Sequence, residues 1–330
     1  MIPPLDPTQI ARAAEVLAAG GLVAMPTETV YGLAADADNA DAVRAIFAAK
    51  GRPADHPVIV HVAGAAALDA WASEVPPAAR TLAAAFWPGP LTLVLKRSAR
   101  AGDFVTGGQD TVGLRCPSHP WAHALIAAFA GDRHQGVAAP SANRFGRISP
   151  TTADHVRADL GEKPGGKVDL ILDGGACPVG IESTIIDLSG DSPRLLRHGS
   201  VTRAMLEAAL GQPVPDAGAD APRASGRLKS HYAPRTPVEL IAASELPARI
   251  NQLRGTRLAV LAPAAAMPDT PAHVVKRLLA AAKADDYGRQ LYAHLHELDA
   301  AGAELILITR SPDTPAWAAV NDRLDRAAAR

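Results

Sequence analysis

The chain has 330 residues, more than one hydrophobic core usually organises, so two domains are expected. It carries 33 Lys and Arg residues against 34 Asp and Glu residues, and the net charge of -1 excludes a global electrostatic attraction to nucleic acid or to an anionic membrane. Aromatic residues make up only 4%, and the two cysteines, Cys116 and Cys177, lie far apart, so we expect neither an aromatic binding surface nor a disulfide framework nor a zinc site.

The first two-thirds of the chain has the pattern of a mixed α/β domain. Apolar residues at helical spacing predict helices at 8–19, 41–49, 77–86 and 121–130. Short apolar runs predict strands at 22–25, 58–62, 91–95, 111–114, 136–139, 168–172 and 183–188. We therefore expect one mixed α/β domain over 1–210.

A change of composition follows this domain. Turn-forming residues without apolar periodicity predict a linker at 211–236, before a second domain at 237–330. In that domain the pattern predicts strands at 238–241, 257–261 and 304–309 and helices at 245–253, 286–300 and 315–328. This order predicts a small, mostly parallel, Rossmann-like sheet covered by helices. The sequence shows neither a secretory leader nor an apolar run long enough for a bilayer, so a cytoplasmic protein is expected.

The usual nucleotide and hydrolase motifs are missing. The stretch from Gly161 to Lys167 has the spacing of a phosphate-binding loop, but Val168 stands where the Mg²⁺-binding hydroxyl belongs. A strand rather than a helix follows it, so no helix N-terminus can face a phosphate there. We interpret this stretch as a surface turn.

Cations and hydroxyls are concentrated in loops instead. Lys50 and Arg52 lie on a loop shaped by glycine and proline, which suits neutralisation of a phosphate chain. Thr111 and Arg115 share one face of a predicted strand, and an arginine at a strand end can bind a carboxylate with two hydrogen bonds. Without a catalytic dyad, these residues suit a reaction on a nucleoside triphosphate in which positioning and charge stabilisation dominate, with Mg²⁺ carried in by the nucleotide. The residues alone indicate a site for an anionic small molecule.

Taken in order, eight motifs resemble the Sua5/YrdC family of threonylcarbamoyl-AMP synthases. They are PTETVYGLA, KGRPADHPVIVH, WPGPLTLVL, VGLRCP, APSANRFGRISPT, DGG with GIEST, LLRHG and HYAP. The resemblance implies a YrdC-like twisted open sheet, a linker that reaches over the active site and a smaller Sua5 domain. It also implies synthesis of L-threonylcarbamoyladenylate from L-threonine, bicarbonate or CO₂, and ATP, with release of pyrophosphate.

The product would pass to the tRNA threonylcarbamoyl transferase complex, which forms N6-threonylcarbamoyladenosine at position 37 of tRNAs reading ANN codons; weak tRNA binding is a further expectation. Motif positions imply a threonine site of Thr29, His61, Arg115, Ala139 and Ser183. They imply ATP contacts from Arg52, His56, Thr111, Ser141, Ser149, Arg197 and Tyr232, with Lys50 facing the phosphates or the carbonate. Lys50 and Arg52 would provide the catalytic charge stabilisation.

Two departures and two alternatives accompany this interpretation. His56 stands where many members have asparagine, and the stretch from Ala224 to Arg227 replaces the common Ser-Pro-Gly-Met. A ribosome-associated, RNA-binding YrdC-like module is one alternative, although the near-zero charge and few aromatics speak against it. A carbamoyltransferase that uses carbamoyl phosphate is the other.

Overall fold

A computed structural model describes residues 2–218, 220–226, 231–266 and 271–329. The chain divides into two compact units. The first comprises Met1–Phe145 and Ser149–Arg227, and the second comprises Gly146–Ile148 and Leu228–Arg330. Three residues from the middle of the first unit's sequence thus belong to the second.

The first unit is built on one mixed sheet of nine strands. In chain order the strands are β1 Val23–Met25, β2 Gly32–Asp36, β3 Ile59–His61, β4 Leu91–Lys96, β5 Thr111–Arg115, β6 Val137–Ala138, β7 Leu170–Ile171, β8 Thr184–Asp187 and β9 Arg194–Arg197. Their spatial order is β7-β1-β2-β6-β3-β5-β4-β8-β9. The pairs β1–β7, β3–β5 and β4–β8 are parallel, and the other neighbours are antiparallel.

Helices cover this sheet on both faces. They are α1 Pro7–Ala18, α2 Ala40–Lys50, α3 Leu68–Trp71, α4 Pro77–Phe86, α5 Asp103–Thr106, α6 Pro120–Ala130, α7 Ala153–Asp159 and α8 Arg203–Leu210. Side chains alternate along a strand, and in β1 Ala24 joins the core cluster that contains α2 and α4, whereas Val23 and Met25 join the cluster that contains α1 and α6. Both faces are therefore buried, which explains why the strands are apolar runs rather than alternating patterns.

The ends of α2 place the lysine and arginine of the KGRP loop. Asn39 caps the N-terminus by accepting hydrogen bonds from the backbone N–H groups of Asp41 and Ala42, at 3.0 and 3.2 Å. Gly51 ends the helix with a left-handed φ of 63°, which a residue without a side chain adopts most easily. Lys50 is thus the last helical residue, and Arg52 follows the turn.

Two strands of the first unit lie where the sequence pattern predicts none. β2 is formed by the residues Gly-Leu-Ala-Ala-Asp, which have low intrinsic strand propensity. β9 begins and ends with arginine, so the two leucines at its centre are too short an apolar run to predict a strand. Both strands form because the sheet pairs them. By contrast, the residues from Gly161 to Lys167 form a turn closed by a bridge between Glu162 and Val168, as predicted.

The second unit contains a four-stranded sheet with the order β10-β13-β11-β12, in which every pair is parallel. The strands are β10 Val238–Ile241, β11 Leu258–Ala262, β12 Val274–Leu279 and β13 Leu305–Thr309, and the helices are α9 Leu246–Gln252, α10 Ala284–Asp299 and α11 Ala318–Ala328. This confirms the predicted parallel α/β class. The pattern misses β12, an edge strand whose buried and open positions alternate and which includes two cations. In the described ranges, no helix has the length and apolarity needed to cross a bilayer.

Candidate active site

Two buried arginines from distant parts of the first unit converge on one linker residue. Arg52 Nη2 donates to the Ser225 hydroxyl oxygen at 3.3 Å and to the Pro57 carbonyl at 2.8 Å. Arg197, at the end of β9, donates from Nη1 to the Ser225 carbonyl at 2.9 Å. The two guanidinium groups therefore lie within hydrogen-bond reach of the same residue. Such a pair of planar cations is suited to bind neighbouring oxygens of a phosphate chain.

Arg197 also connects the linker to the start of β8. Its Nε donates to the Ser183 carbonyl at 3.0 Å and its Nη2 donates to the Ser183 hydroxyl at 3.1 Å. The Ser183 hydroxyl in turn shares a hydrogen bond of 2.8 Å with Thr92 Oγ1. One buried network thus joins Ser183, predicted for threonine, and Arg197, predicted for ATP.

A cleft opens beside this network. Its lining comes from β3, β4, β5, β8 and the linker: Pro57, Val58, Ile59, Thr92, Val94, Gln109, Thr111, Gly113, Ile185, Arg223, Ala224 and Ser225. Thr111, predicted to contact ATP, shares the cleft with Ser225. A largely apolar wall with a few polar groups is typical of a small-molecule site.

The linker is held at this cleft by Gln109, a residue that belongs to none of the sequence motifs. Gln109 Oε1 accepts from the Arg223 backbone N–H at 2.6 Å, and Gln109 Nε2 donates to the Arg223 carbonyl at 3.2 Å. Arg223 Nη2 donates to the Gly107 carbonyl at 2.7 Å. The amide of Gln109 thus pairs with the linker backbone as a neighbouring strand would. Arg227 and Ser230 lie outside the described residues.

Lys50 is buried and bound to the loop that carries Ser141. Its Nζ donates to the carbonyls of Ser141 and Asn143, each at 2.5 Å. Burial, and to a lesser extent the nearby Arg52 cation, place the pKa of Lys50 well below its ordinary value. In this conformation the ammonium fixes the loop, whereas the sequence predicted that it faces phosphates or the carbonate.

Ser149 lies at the far end of the same loop. Its hydroxyl donates to Glu182 Oε1 at 2.6 Å, and both side chains are buried. Glu182 directly precedes Ser183, so the loop is connected to the start of β8. The loop's predicted ATP residues are therefore tied at one end to α2 and at the other to β8.

A second polar cluster lies where β3 and β5 end side by side. His61 and Arg115 are paired in register on these parallel strands. Arg115 Nη2 lies 2.7 Å from Glu28 Oε1, and both side chains are about 5% exposed or less. This distance makes an ion pair, but the angle between the two groups does not permit a hydrogen bond. The cluster thus holds a cation and an anion in a buried environment.

The remaining residues predicted for threonine adjoin this cluster. Thr29 follows Glu28 and shares a hydrogen bond of 2.8 Å with the Thr27 hydroxyl. Ala139 follows β6, which pairs with β3. Burial, together with the adjacent Arg115 cation, lowers the pKa of His61 to about 3, so His61 is neutral at pH 7.

His56 and Tyr232, both predicted to contact ATP, pack against aromatic rings. The His56 ring packs edge-on against Phe145 with centroids 5.3 Å apart, and burial, then the Arg52 cation, lowers its pKa. Tyr232 belongs to the second unit, where its ring lies 5.6 Å from Tyr292 and faces the Arg323 guanidinium at 5.5 Å. Its φ of 61° is unusual for a residue with a side chain.

Metal binding and thiol reactivity can be judged for the part of the chain that the structure describes. Within the described ranges, no group of three or more His, Cys, Asp or Glu side chains is arranged to hold a metal ion. Burial, more than the neighbouring Glu28 charge, raises the pKa of the Cys116 thiol to about 11, so this group stays protonated at neutral pH. Both cysteines are buried and have free thiols.

Comparison with known proteins follows the same division of the chain. A family model described as "Telomere recombination" (Sua5_yciO_yrdC) matches residues 15–199, and one described as "Threonylcarbamoyl-AMP synthase, C-terminal domain" matches residues 201–329. The threonylcarbamoyl-AMP synthase of Bacillus subtilis is 40% identical over 98% of this chain and 93% of its own. The synthase of Pyrococcus abyssi is 36% identical over 98% and 95%.

The fold agrees with these matches. The crystal structure of P. abyssi Sua5 complexed with L-threonine superimposes with a TM-score of 0.87 at 36% identity, covering 99% of this chain and 96% of that one. The resemblance that the eight motifs predict is thereby confirmed. The chain belongs to the Sua5/YrdC family of threonylcarbamoyl-AMP synthases.

Proposed function

We propose that this chain synthesises L-threonylcarbamoyladenylate from L-threonine, bicarbonate or CO₂, and ATP. Family membership over both units supports this activity. The observation that carries the proposal for the site is the convergence of Arg52 and Arg197 on Ser225 beside the cleft. Two guanidinium groups at one point match the oxygens of a triphosphate.

The chemistry divides into two steps. The threonine amine attacks CO₂ and loses a proton, which gives a carbamate. A carbamate oxygen then attacks the α-phosphorus of ATP, and the bond to pyrophosphate breaks. Arg52 and Arg197 would stabilise the negative charge on the phosphate oxygens, and binding both substrates in one site would supply much of the rate.

The other residues keep the roles that the family resemblance implies. Thr29, His61, Arg115, Ala139 and Ser183 would bind threonine, with Arg115 on the carboxylate. His56, Thr111, Ser141, Ser149 and Tyr232 would join the two arginines around ATP. The contact of Lys50 with phosphates or the carbonate stays a prediction; its bonds to the Ser141 and Asn143 carbonyls support a role in holding the loop.

Further expectations concern organisation, metal and partners. We retain 1–210 as the catalytic domain, 211–236 as a linker that reaches over the active site and 237–330 as the C-terminal domain. Mg²⁺ would enter with ATP as part of the substrate. The product would be handed to the tRNA threonylcarbamoyl transferase complex, with tRNA itself bound weakly. A cytoplasmic location remains the expectation from the sequence.

The test is pyrophosphate release from ATP and bicarbonate by the purified protein. L-threonine, L-serine and L-alanine are compared at equal concentration, and the adenylate is identified by mass. We expect release that depends on threonine and a product with the threonylcarbamoyladenylate mass. Turnover with carbamoyl phosphate alone, or salt-dependent tRNA binding without ATP turnover, would instead support the two alternative functions.

A further inference from the structure

Glu28 is a buried carboxylate that the substrate contacts proposed above do not use. It is 3% exposed and lies between Thr27 and Thr29 in the first motif. Its Oε1 lies 2.7 Å from Arg115 Nη2. A carboxylate is costly to bury unless it is paired, so its place beside Arg115 calls for an explanation.

The carboxylate is held in place from more than one side. Glu28 Oε2 accepts from the Ser118 backbone N–H at 3.1 Å. The Glu28 carbonyl accepts from the Val179 N–H at 2.8 Å. Ser118 lies only three residues after Arg115, so the same side chain fixes the arginine and the segment that follows it.

The guanidinium beside it still has donors to offer. Among the described residues, Arg115 Nε and Nη2 have no hydrogen-bond partner, although both are buried. His61, its neighbour on β3, is neutral and cannot serve as a counter-ion. Buried donors without acceptors are rare in native proteins, and a planar guanidinium edge matches the two oxygens of a carboxylate.

We propose that Glu28 is a positioning residue for recognition of the substrate's α-carboxylate: its ion pair fixes the Arg115 guanidinium so that the unpartnered N–H groups face that carboxylate. The inference rests on the proposed function, because it assumes that Arg115 binds the amino acid. Glu28 acts through Arg115 and does not itself touch the substrate.

The experiment compares two ligands that differ only at the carboxylate. L-threonine and L-threoninamide are titrated into the wild-type chain and into Glu28→Gln by calorimetry. We expect the wild type to prefer threonine, and Glu28→Gln to weaken threonine binding by about 10-fold or more, the value of one charge-assisted hydrogen bond. Threoninamide binding should change less than about 2-fold, because it does not use the charge of Arg115. The KM for ATP should be unchanged.

A matched control separates positioning from general damage to a buried ion pair. Asp187 is fully buried and pairs with Arg194 at 2.9 Å, away from Arg115. Asp187→Asn should lower the melting temperature without changing the ratio of the two affinities. Glu28→Asp, which keeps the charge but shortens the side chain, takes the place of Glu28→Gln if the latter does not fold. It too should lower the affinity for threonine but not for threoninamide.

Three outcomes decide the matter. Selective loss of threonine affinity supports the inference. Equal loss of both affinities, or an unchanged ratio, overturns it and leaves Glu28 a structural residue. A wild-type chain that neither binds nor turns over threonine contradicts the proposed function itself, which is a different failure.

Discussion

Replacement of Arg52 tests the phosphate site most directly. Arg52 is 8% exposed and donates hydrogen bonds to the Pro57 carbonyl and the Ser225 hydroxyl. A contact between this guanidinium and a phosphate would be stronger than either of these two bonds, because both acceptors are uncharged. One charge-assisted hydrogen bond contributes about 1.5–3 kcal/mol, so Arg52→Ala should lower kcat/KM for ATP by about 10- to 150-fold.

The assay is pyrophosphate release with ATP varied at saturating threonine and bicarbonate. The KM for threonine should stay within about 2-fold, because Arg52 belongs to the other polar cluster. Arg44→Ala is the matched control: it removes an arginine from α2 whose side chain is 64% exposed, and kinetics should not change. Unchanged ATP kinetics in Arg52→Ala would refute the reasoning.

The pKa of His56 tests whether the Arg52 cation lies close to the His56 ring. The Arg52 cation is the second cause, after burial, of the lowered pKa of His56. Removing a nearby cation favours the protonated ring, so the pKa of His56 should rise toward 6.5 in Arg52→Ala. NMR titration of the histidine ring protons measures this shift. A pKa that falls or stays constant would contradict the proximity of the two groups.

Three more predictions concern the linker, pH and the helix that precedes Arg52. Gln109→Ala should speed hydrogen exchange at the Arg223 amide, because the amide loses its acceptor, and equal exchange rates would contradict this. It should also lower the KM for ATP, because a looser linker frees the Arg52 and Arg197 donors that Ser225 now occupies. His61 stays neutral in the folded state down to about pH 3, while the unfolded chain binds a proton below about 6.5. The free energy of unfolding should thus decrease as the pH is lowered through this window, by up to about 1.4 kcal/mol per pH unit from this group. In His61→Gln the urea-denaturation midpoint should depend less on pH between pH 7 and 4. Asn39→Ala should cost about 1 kcal/mol of stability by urea denaturation, as for other N-caps, with wild-type kinetics at low temperature.

The sequence predicts well those elements whose pattern is local. The helices α1, α2, α4 and α6 lie within a residue or two of the predicted ranges, since apolar residues at helical spacing form a buried stripe. The parallel class of the second sheet also follows from the order of elements. The sequence predicts poorly those strands that depend on neighbours, such as β2 with its alanines and β12 with its two cations, because pairing and burial override weak propensity.

The site is predicted as a set of motifs but not as a set of contacts. Lys50 shows the difference. A lysine on a loop shaped by glycine and proline predicts contact with an anion, yet its ammonium lies between the carbonyls of Ser141 and Asn143. Residue type gives the charge, and only the fold gives the partner. Glu28 stands inside a motif between two threonines, and no local pattern indicates that its carboxylate is buried.

Ser225 makes contacts that no local sequence pattern predicts. It offers a hydroxyl and a carbonyl to two arginines that lie 173 and 28 residues away in sequence. Neither group is distinctive in a linker rich in turn formers, so no local pattern could identify it. If Arg52 and Arg197 bind the phosphates as proposed, ATP and Ser225 use the same donors. Nucleotide affinity then depends on how firmly Gln109 holds the linker, and a residue outside every recognised motif helps to set the KM for ATP.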